Sequence, residues 1–310
     1  KISKTTSAFA MKQADEVIAH ELAHQWFGNL VTMKWWNDLW LNESFATFMS
    51  FKSTDNRHKE WNVFEDFIMT QTSGALDGDS LKKTHPIEVE VRNPDEIAQI
   101  FDEISYGKGG NILRMIEAFA GEDAFREGVR NHLKKNSFSN AVGTDLWNAI
   151  EKASGKNISD VMSAWIKTPG YPIITATKKG EKIKLTQKKF RLDGTTDDTV
   201  WPVPLTVIRE GGKIESVLFN EKEMEINNEG FLRLNYNHTG FYRINYEGEL
   251  LEHVLSNSSS MNSFDKWGIV SDSLASLLSG ASTYDTYLKT LERFSKDGEN
   301  LVVNEIIGQI

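Results

Sequence analysis

The sequence predicts a multidomain α+β chain: a mainly helical lobe, a small β-sandwich, and the start of an α-solenoid. Three observations lead there. Apolar residues recur at helical spacing as far as Lys167, alternate with period two between Tyr171 and Tyr246, and return to helical spacing from Glu249. A length of 310 residues suits about two domains and leaves room for a third. The expected boundaries are 1–170, 171–247 and 248–310.

The first helical pattern covers residues 9 to 27 and stops at Gly28-Asn29. A second runs from Asn37 to about Ser53, with Leu41, Phe45, Phe48 and Met49 at three- and four-residue intervals. Its aromatics are core residues, since large rings dominate burial energetics, and Glu43 among them needs a partner or a metal. A mixed segment follows to Ser80. The chain is then extended around His85-Pro86, and Asn93-Pro94 starts a turn and a helix. Tyr106-Gly107-Lys108-Gly109-Gly110 leads into a helix carrying Ile112, Leu113, Ile116 and Phe119 that ends at Gly121. This glycine-rich run looks like a phosphate cradle only superficially, because it lacks the full P-loop spacing and follows no clear strand. Helices are expected at Glu122–Lys135, at Thr144–Ala153 with Thr144 and Asp145 at its start, and at Ile158–Lys167.

Alternation then marks strands at Ile183 and Leu185, at Val203, Leu205 and Val207, at Leu232, Leu234 and Tyr236, and at Ile244 and Tyr246. Short strands broken by turn signals predict the β-sandwich. Ser263 is expected to cap a helix with Ile269, Leu274, Leu277 and Leu278 that stops at Gly280, followed by one with Leu288, Leu291 and Phe294. Paired helices of this kind resemble the opening of a solenoid, which needs about three repeats to bury its own core. Together with Lys1 in place of methionine and the uncapped apolar pattern of the last residues, this suggests a piece of a longer chain.

With 39% hydrophobic and 25% charged residues, the composition is that of an ordinary soluble protein. A net charge of −9 argues against nucleic acid as a partner, which requires a basic face. The absence of cysteine excludes disulfides, thiolate metal sites and a thiol nucleophile, and fits a cytoplasmic location. No apolar run is long enough to span a bilayer and no signal-peptide pattern is visible. Four glycosylation triplets, at Asn42, Asn157, Asn237 and Asn257, are taken as chance matches, the first because it would place a glycan inside the candidate site.

That site begins with His20-Glu21-Leu22-Ala23-His24. On a helix, histidines four residues apart differ by only about 40° in direction, so both imidazoles leave one face and can hold one tetrahedral Zn²⁺. Glu21 lies beside the pair, where a general base for an activated water belongs. The five residues alone recur by chance. Glu43 lies nineteen residues beyond His24 on the next helix, a spacing that resembles the third ligand of thermolysin-class zinc peptidases, which would give two neutral imidazoles and one carboxylate. Such a set leaves the ion one open position. His58, His85, His132, His238 and His253 lack ligand spacing and are expected at the surface or satisfied in the core. Asp38 and Asn42 flank Glu43 and are candidates to hold the outer nitrogen of a ligand histidine, alongside plain surface or capping roles.

The sequence resembles the zinc aminopeptidases of the aminopeptidase-N and puromycin-sensitive type, which include the archaeal tricorn-interacting factors. The matching stretches are His-Glu-Leu-Ala-His-Gln-Trp-Phe-Gly-Asn (20–29), Trp-Leu-Asn-Glu (40–43), Ile-Ser-Tyr-Gly-Lys-Gly (104–109), Trp-Ile-Lys-Thr-Pro-Gly-Tyr-Pro (165–172) and Thr-Gly-Phe-Tyr-Arg-Ile-Asn-Tyr (239–246). They span nearly the whole chain in family order. The resemblance implies a thermolysin-like catalytic lobe. It implies His20, His24 and Glu43 as ligands of one Zn²⁺ per chain, Glu21 as general base, and Tyr106 as the phenol that hydrogen-bonds the tetrahedral oxyanion. It further implies peptides with a free N-terminus as substrates and a proteolytic-complex partner. From the residues alone, a tyrosine at position 106 is more often a packed ring. The family's Gly-x-Met-Glu-Asn segment, which reads the substrate's α-amino group with a carboxylate from an N-terminal domain, is not in this sequence, which begins nineteen residues before His20. Two rivals therefore stay open: a thermolysin-like endopeptidase using the same residues, and a non-catalytic peptide-binding protein with a structural zinc.

Overall fold

The structure, a computed structural model, describes residues 5–93, 95–97 and 101–310. Two compact units form: Lys1–Gly78 with His85–Pro169, and Asp79–Thr84 with Gly170–Ile310. Helices dominate and the sheets are small, an α+β chain.

In the first unit α1 (Ala8–Ala23) starts at Ser7, whose hydroxyl accepts from the Ala10 amide at 3.2 Å. It ends four residues earlier than the hydrophobic pattern predicts. The amides of Asn29, Leu30 and Val31 then bond carbonyls five residues back, on His24, Gln25 and Trp26, so the chain widens instead of stopping at Gly28. After β1 (Val31–Met33) and a 3-10 turn at Trp36–Asp38 comes α2 (Trp40–Arg57). Phe45, Ala46 and Phe48 of α2 are wholly buried, with Phe45 stacked on Phe27 at 4.6 Å between centroids.

The segment that looked mixed is helical: α3 (Val63–Phe67), a π-helical turn (Ile68–Thr72) and α4 (Ser73–Asp79). The wider turn shifts the apolar spacing by a residue, which hides one continuous helix from a 3.6-residue pattern. The turn expected at Asn93-Pro94 and the helix after it fall partly outside the described residues. Another π-helical turn (Ile104–Lys108) runs into α5 (Gly109–Ala120), followed by α6 (Glu122–Lys135), β2 (Ser139–Ala141), α7 (Gly143–Ser154) and α8 (Ile158–Lys167). β1 and β2 pair in parallel with Val31 opposite Ser139, a link between distant short segments that carries no local signal. α7 starts one residue before Thr144, with the Asp145 carboxylate accepting from the Val142 amide at 3.2 Å.

The second unit holds a four-stranded and a three-stranded sheet. Its strands are β3 (Pro172–Lys179), β4 (Lys182–Lys189), β5 (Val203–Arg209), β6 (Ile214–Phe219), β7 (Glu223–Asn227), β8 (Phe231–Leu234) and β9 (Arg243–Glu247). The strand orders are β7-β4-β3-β9, with β9 parallel to β3, and β6-β5-β8. Ile183 and Leu185 of β4 point inward as the pattern predicts, and Gln187 continues the buried face. β8 differs: Phe231 and Arg233 are buried, and Tyr236 lies beyond the strand in a 3-10 turn. Arg233 can occupy an inward position because Asp265 neutralises it, with Nε donating to Oδ2 at 2.9 Å.

Four helices follow, α9 (Glu249–Ser256), α10 (Ser263–Leu278), α11 (Tyr284–Phe294) and α12 (Asn300–Gln309). The cap of α10 is Asn262, whose side chain accepts from the Asp265 amide at 2.9 Å, and Ser263 is already helical. Through Asp265 to Arg233 and Asp272 to Arg243, α10 is tied to β8 and β9 by two buried ion pairs. Among the described residues no helix is long and apolar enough to cross a membrane.

Candidate active site

His20 and His24 leave the last turn of α1 together. Their Nε2 atoms are 3.1 Å apart and their rings meet edge to face at 4.7 Å. His24 is the first residue past the helix, and its amide still bonds the His20 carbonyl at 3.2 Å. The widened turns after it carry the Phe27 carbonyl back to His24 Nδ1, at 3.0 Å. A carbonyl can only accept, so Nδ1 carries the hydrogen and Nε2 is left bare toward Glu43. Gly28, at φ +134°, lets this reversal happen in a region a side chain rarely adopts.

Glu43 sits in the first turn of α2, where the helix dipole favours a carboxylate. Its Oε2 lies 3.4 Å from His20 Nε2 and 3.6 Å from His24 Nε2. Burial alone would raise the Glu43 pKa. The neighbouring imidazoles of His20 and His24, the charge His24 carries when protonated, and the Tyr106 phenol overcome it and bring the value down to about 2. Glu43, which would accept a proton placed on Nε2, lifts the His24 pKa against its own burial, helped by Phe27 and by the charge of Glu21. The Tyr106 pKa rises, first through burial and then through the charge and hydrogen bond of Glu43 and the charge of Glu21. Its ring stacks over His20 at 6.2 Å. Glu21 is exposed on α1, and its charge reaches both His24 and Tyr106.

The three donors can be tested against a zinc ion by geometry. With bonds of 2.0–2.2 Å to nitrogen and oxygen, the edge of a tetrahedron is roughly 3.3–3.6 Å. The separations here are 3.1, 3.4 and 3.6 Å. Two imidazoles and one ionised carboxylate at these spacings fit zinc in both chemistry and size, and among the described residues they are the group that could hold a metal.

Profiles of known families bear on the site directly. The peptidase family M1 domain matches residues 2–165, which include all five of these side chains. The chain belongs to peptidase family M1. Peptidases of this family are zinc metalloenzymes. An ERAP1-like C-terminal domain matches residues 231–310. Among similar proteins are the tricorn protease-interacting factor F2 of Thermoplasma acidophilum, 53% identical over 98% of this chain, and a leucyl aminopeptidase of Saccharolobus solfataricus, 46% identical over 99%. An alanine/arginine aminopeptidase of Saccharomyces cerevisiae is 38% identical over 99%. The chain spans 38%, 39% and 37% of the lengths of these three M1 relatives, respectively.

Several groups around the M1 site escaped the sequence. The Phe27 carbonyl, and neither Asp38 nor Asn42, holds the outer nitrogen of His24. Asp38 instead lies against Gly143, and burial beside Glu88 raises its pKa to about 6. His85 is no ligand, but its Nε2 lies 2.6 Å from Asp102 Oδ2. The other oxygen of Asp102 accepts the amides of Ile104 and Ser105 at 3.0 and 3.1 Å, at the start of the turn that carries Tyr106. Ser44, next to Glu43, donates to the Ser105 carbonyl at 2.7 Å. Backbone carbonyls and neutral hydroxyls have no residue-type signature at a metal site. The Asp102 side chain had one available signal, an acidic residue just before a helical turn.

Proposed function

We propose that the protein is a zinc-dependent aminopeptidase that hydrolyses the N-terminal peptide bond of peptides. The observation that carries this reading is the set of three donors at tetrahedral spacing, with the Tyr106 ring stacked at 6.2 Å over one of them. His20, His24 and Glu43 would hold the ion. When bound, zinc supplies Lewis acidity that polarises the substrate carbonyl and brings the pKa of a water from near 16 toward ~7. Glu21 takes the proton of the attacking water and delivers it to the leaving amine. Tyr106 donates its O–H to the oxyanion, a contact typically worth roughly 2.7–4 kcal/mol. Its raised pKa favours this role, since the phenol keeps its proton throughout the working pH range.

The names of the relatives support exopeptidase action and a partner in a proteolytic assembly, and we extend both to this chain together with a cytoplasmic location. We assign residues 1–170 to a thermolysin-like catalytic domain, 171–247 to a β-sandwich and 248–310 to the opening of a helical domain.

A fluorogenic aminoacyl amide and its N-acetylated form, offered to the full-length protein, test the specificity. Cleavage of the free amine alone is expected, and preference for the blocked form would establish an endopeptidase. Glu21→Gln should lower kcat by at least 10²-fold while the protein retains about one zinc per chain. Unchanged turnover would remove Glu21 from the mechanism, and absence of turnover in the zinc-loaded parent would favour a non-catalytic zinc protein.

A further inference from the structure

Tyr106 sits on a turn of an unfavourable kind. Residues Ile104–Lys108 are π-helical, and α5 follows without a break. A π turn holds one more residue than an α turn, and left alone it tends to tighten. Losing that residue would rotate Tyr106 by about 100° and move it by about 1.5 Å, away from Glu43. Something must keep the turn open.

The turn is gripped on several sides. At its start, Asp102 accepts the amides of Ile104 and Ser105 and is itself held by His85. On another side Gly107 lies so near the Gln71 carbonyl that a Cβ there would come within 2.8 Å of it. Toward the metal ligands, the Ser44 hydroxyl donates to the Ser105 carbonyl at 2.7 Å, with both residues buried. Ser44 follows Glu43 and Ser105 precedes Tyr106. One hydrogen bond thus ties the residue after the carboxylate to the residue before the phenol.

We infer that Ser44 is a positioning residue, which straps the π turn to α2 and fixes Tyr106 relative to Glu43. The inference rests on the proposed role of Tyr106. It requires no change in the charge of any ligand, only the neutral bond between Ser44 and Ser105. Without the hydroxyl the Ser105 carbonyl loses a buried donor, and the turn loses the contact that ties it to α2. The loss should fall on the step that needs the phenol in place, and leave metal and substrate binding alone.

The test is a cycle of Ser44→Ala, Tyr106→Phe and the double variant in full-length protein. Zinc content, thermal unfolding, kcat, KM and the affinity for an aminophosphonic dipeptide, whose tetrahedral phosphoryl group imitates the oxyanion, are measured for each. Tyr106→Phe should lower kcat roughly 10²–10³-fold. Ser44→Ala should lower kcat about tenfold with KM within about twofold, and weaken the phosphonic dipeptide by a similar factor. Zinc content should stay at the parent's value. On the Tyr106→Phe background Ser44→Ala should change neither kcat nor inhibitor affinity. A cooperatively folded Ser44→Ala with parental kcat, or a tenfold loss that persists without the phenol, overturns the strap. Parental kcat in Tyr106→Phe instead overturns the role of Tyr106, and the inference with it. If Ser44→Ala does not fold, Ser44→Cys carries the same criteria, since it keeps the shape with a weaker donor.

Discussion

Gly109→Ala offers a measurable consequence of how tightly α2 and the Tyr106 turn are packed. A Cβ at Gly109 would lie 2.0 Å from Ser44 Oγ and 2.8 Å from Ser44 Cβ. Neither atom can give way easily, because Ser44 is wholly buried and lies on the α2 backbone beside Glu43. Overpacking of this kind costs about 1–3 kcal/mol. Displacing the hydroxyl from Ser105 adds about 0.5–1.5 kcal/mol. Alanine returns about 1 kcal/mol through its better helix propensity. The net destabilisation is then about 2 kcal/mol. Urea unfolding of the full-length variant, followed by circular dichroism and tryptophan fluorescence, would read it. The decisive measurement adds Ser44→Gly. In the parent this change destabilises, since it puts glycine into a helix and removes a buried hydrogen bond. On the Gly109→Ala background it removes both clashing atoms and should stabilise by about 1 kcal/mol, a reversal of sign. Equal destabilisation by Ser44→Gly in both backgrounds, or a Gly109→Ala variant as stable as the parent, would refute the close approach.

Asp38 should make stability depend on pH. Its folded pKa is raised to about 6 by burial and by Glu88, so its contribution is complete below pH ~4 and is lost as pH rises through 6. Asp38→Asn should therefore be more stable than the parent at pH 8, by about 1–2 kcal/mol after allowing for residual solvent access, and equal to it below pH 4, as urea titrations at the two pH values would show. In the second unit, Asp265→Leu leaves Arg233 buried without its carboxylate and should cost about 3–5 kcal/mol in urea unfolding. Adding Arg233→Met should recover at least half of that loss, and additive losses would mean that the pair is not coupled.

The parts of the fold legible in the sequence are those whose signal is local and regular. Alternation placed Ile183 and Leu185 on the inner face of β4, and helical spacing placed Phe45 and Phe48 in the core of α2. Regularity fails wherever five-residue hydrogen bonds enter the ladder. That happens after His24, at Ile68–Thr72 and at Ile104–Lys108, and at each place the expected element was shortened, missed or read as a loop. The inward Arg233 is hidden for another reason. Its burial depends on Asp265, thirty-two residues on, and a charged residue at an inward strand position otherwise argues for the opposite register.

The same division runs through the site. His20, His24 and Glu43 could be named because metal ligation demands particular side chains, and a helix fixes the spacing at which they can converge. Tyr106 depends on placement more than on identity. A phenol can donate from many positions, and this one lies over His20 where a π turn is held by groups with no chemistry of their own: a hydroxyl, a capping carboxylate and a glycine under a carbonyl. None of them touches a ligand atom of the metal group, and each makes sense only once α2 and the Tyr106 turn are seen side by side. A motif search therefore finds the ligands and base of such a site more readily than what aims its oxyanion donor. If Ser44→Ala and Tyr106→Phe prove non-additive, part of the catalytic power of Tyr106 resides in a buried hydrogen bond one residue removed from both partners.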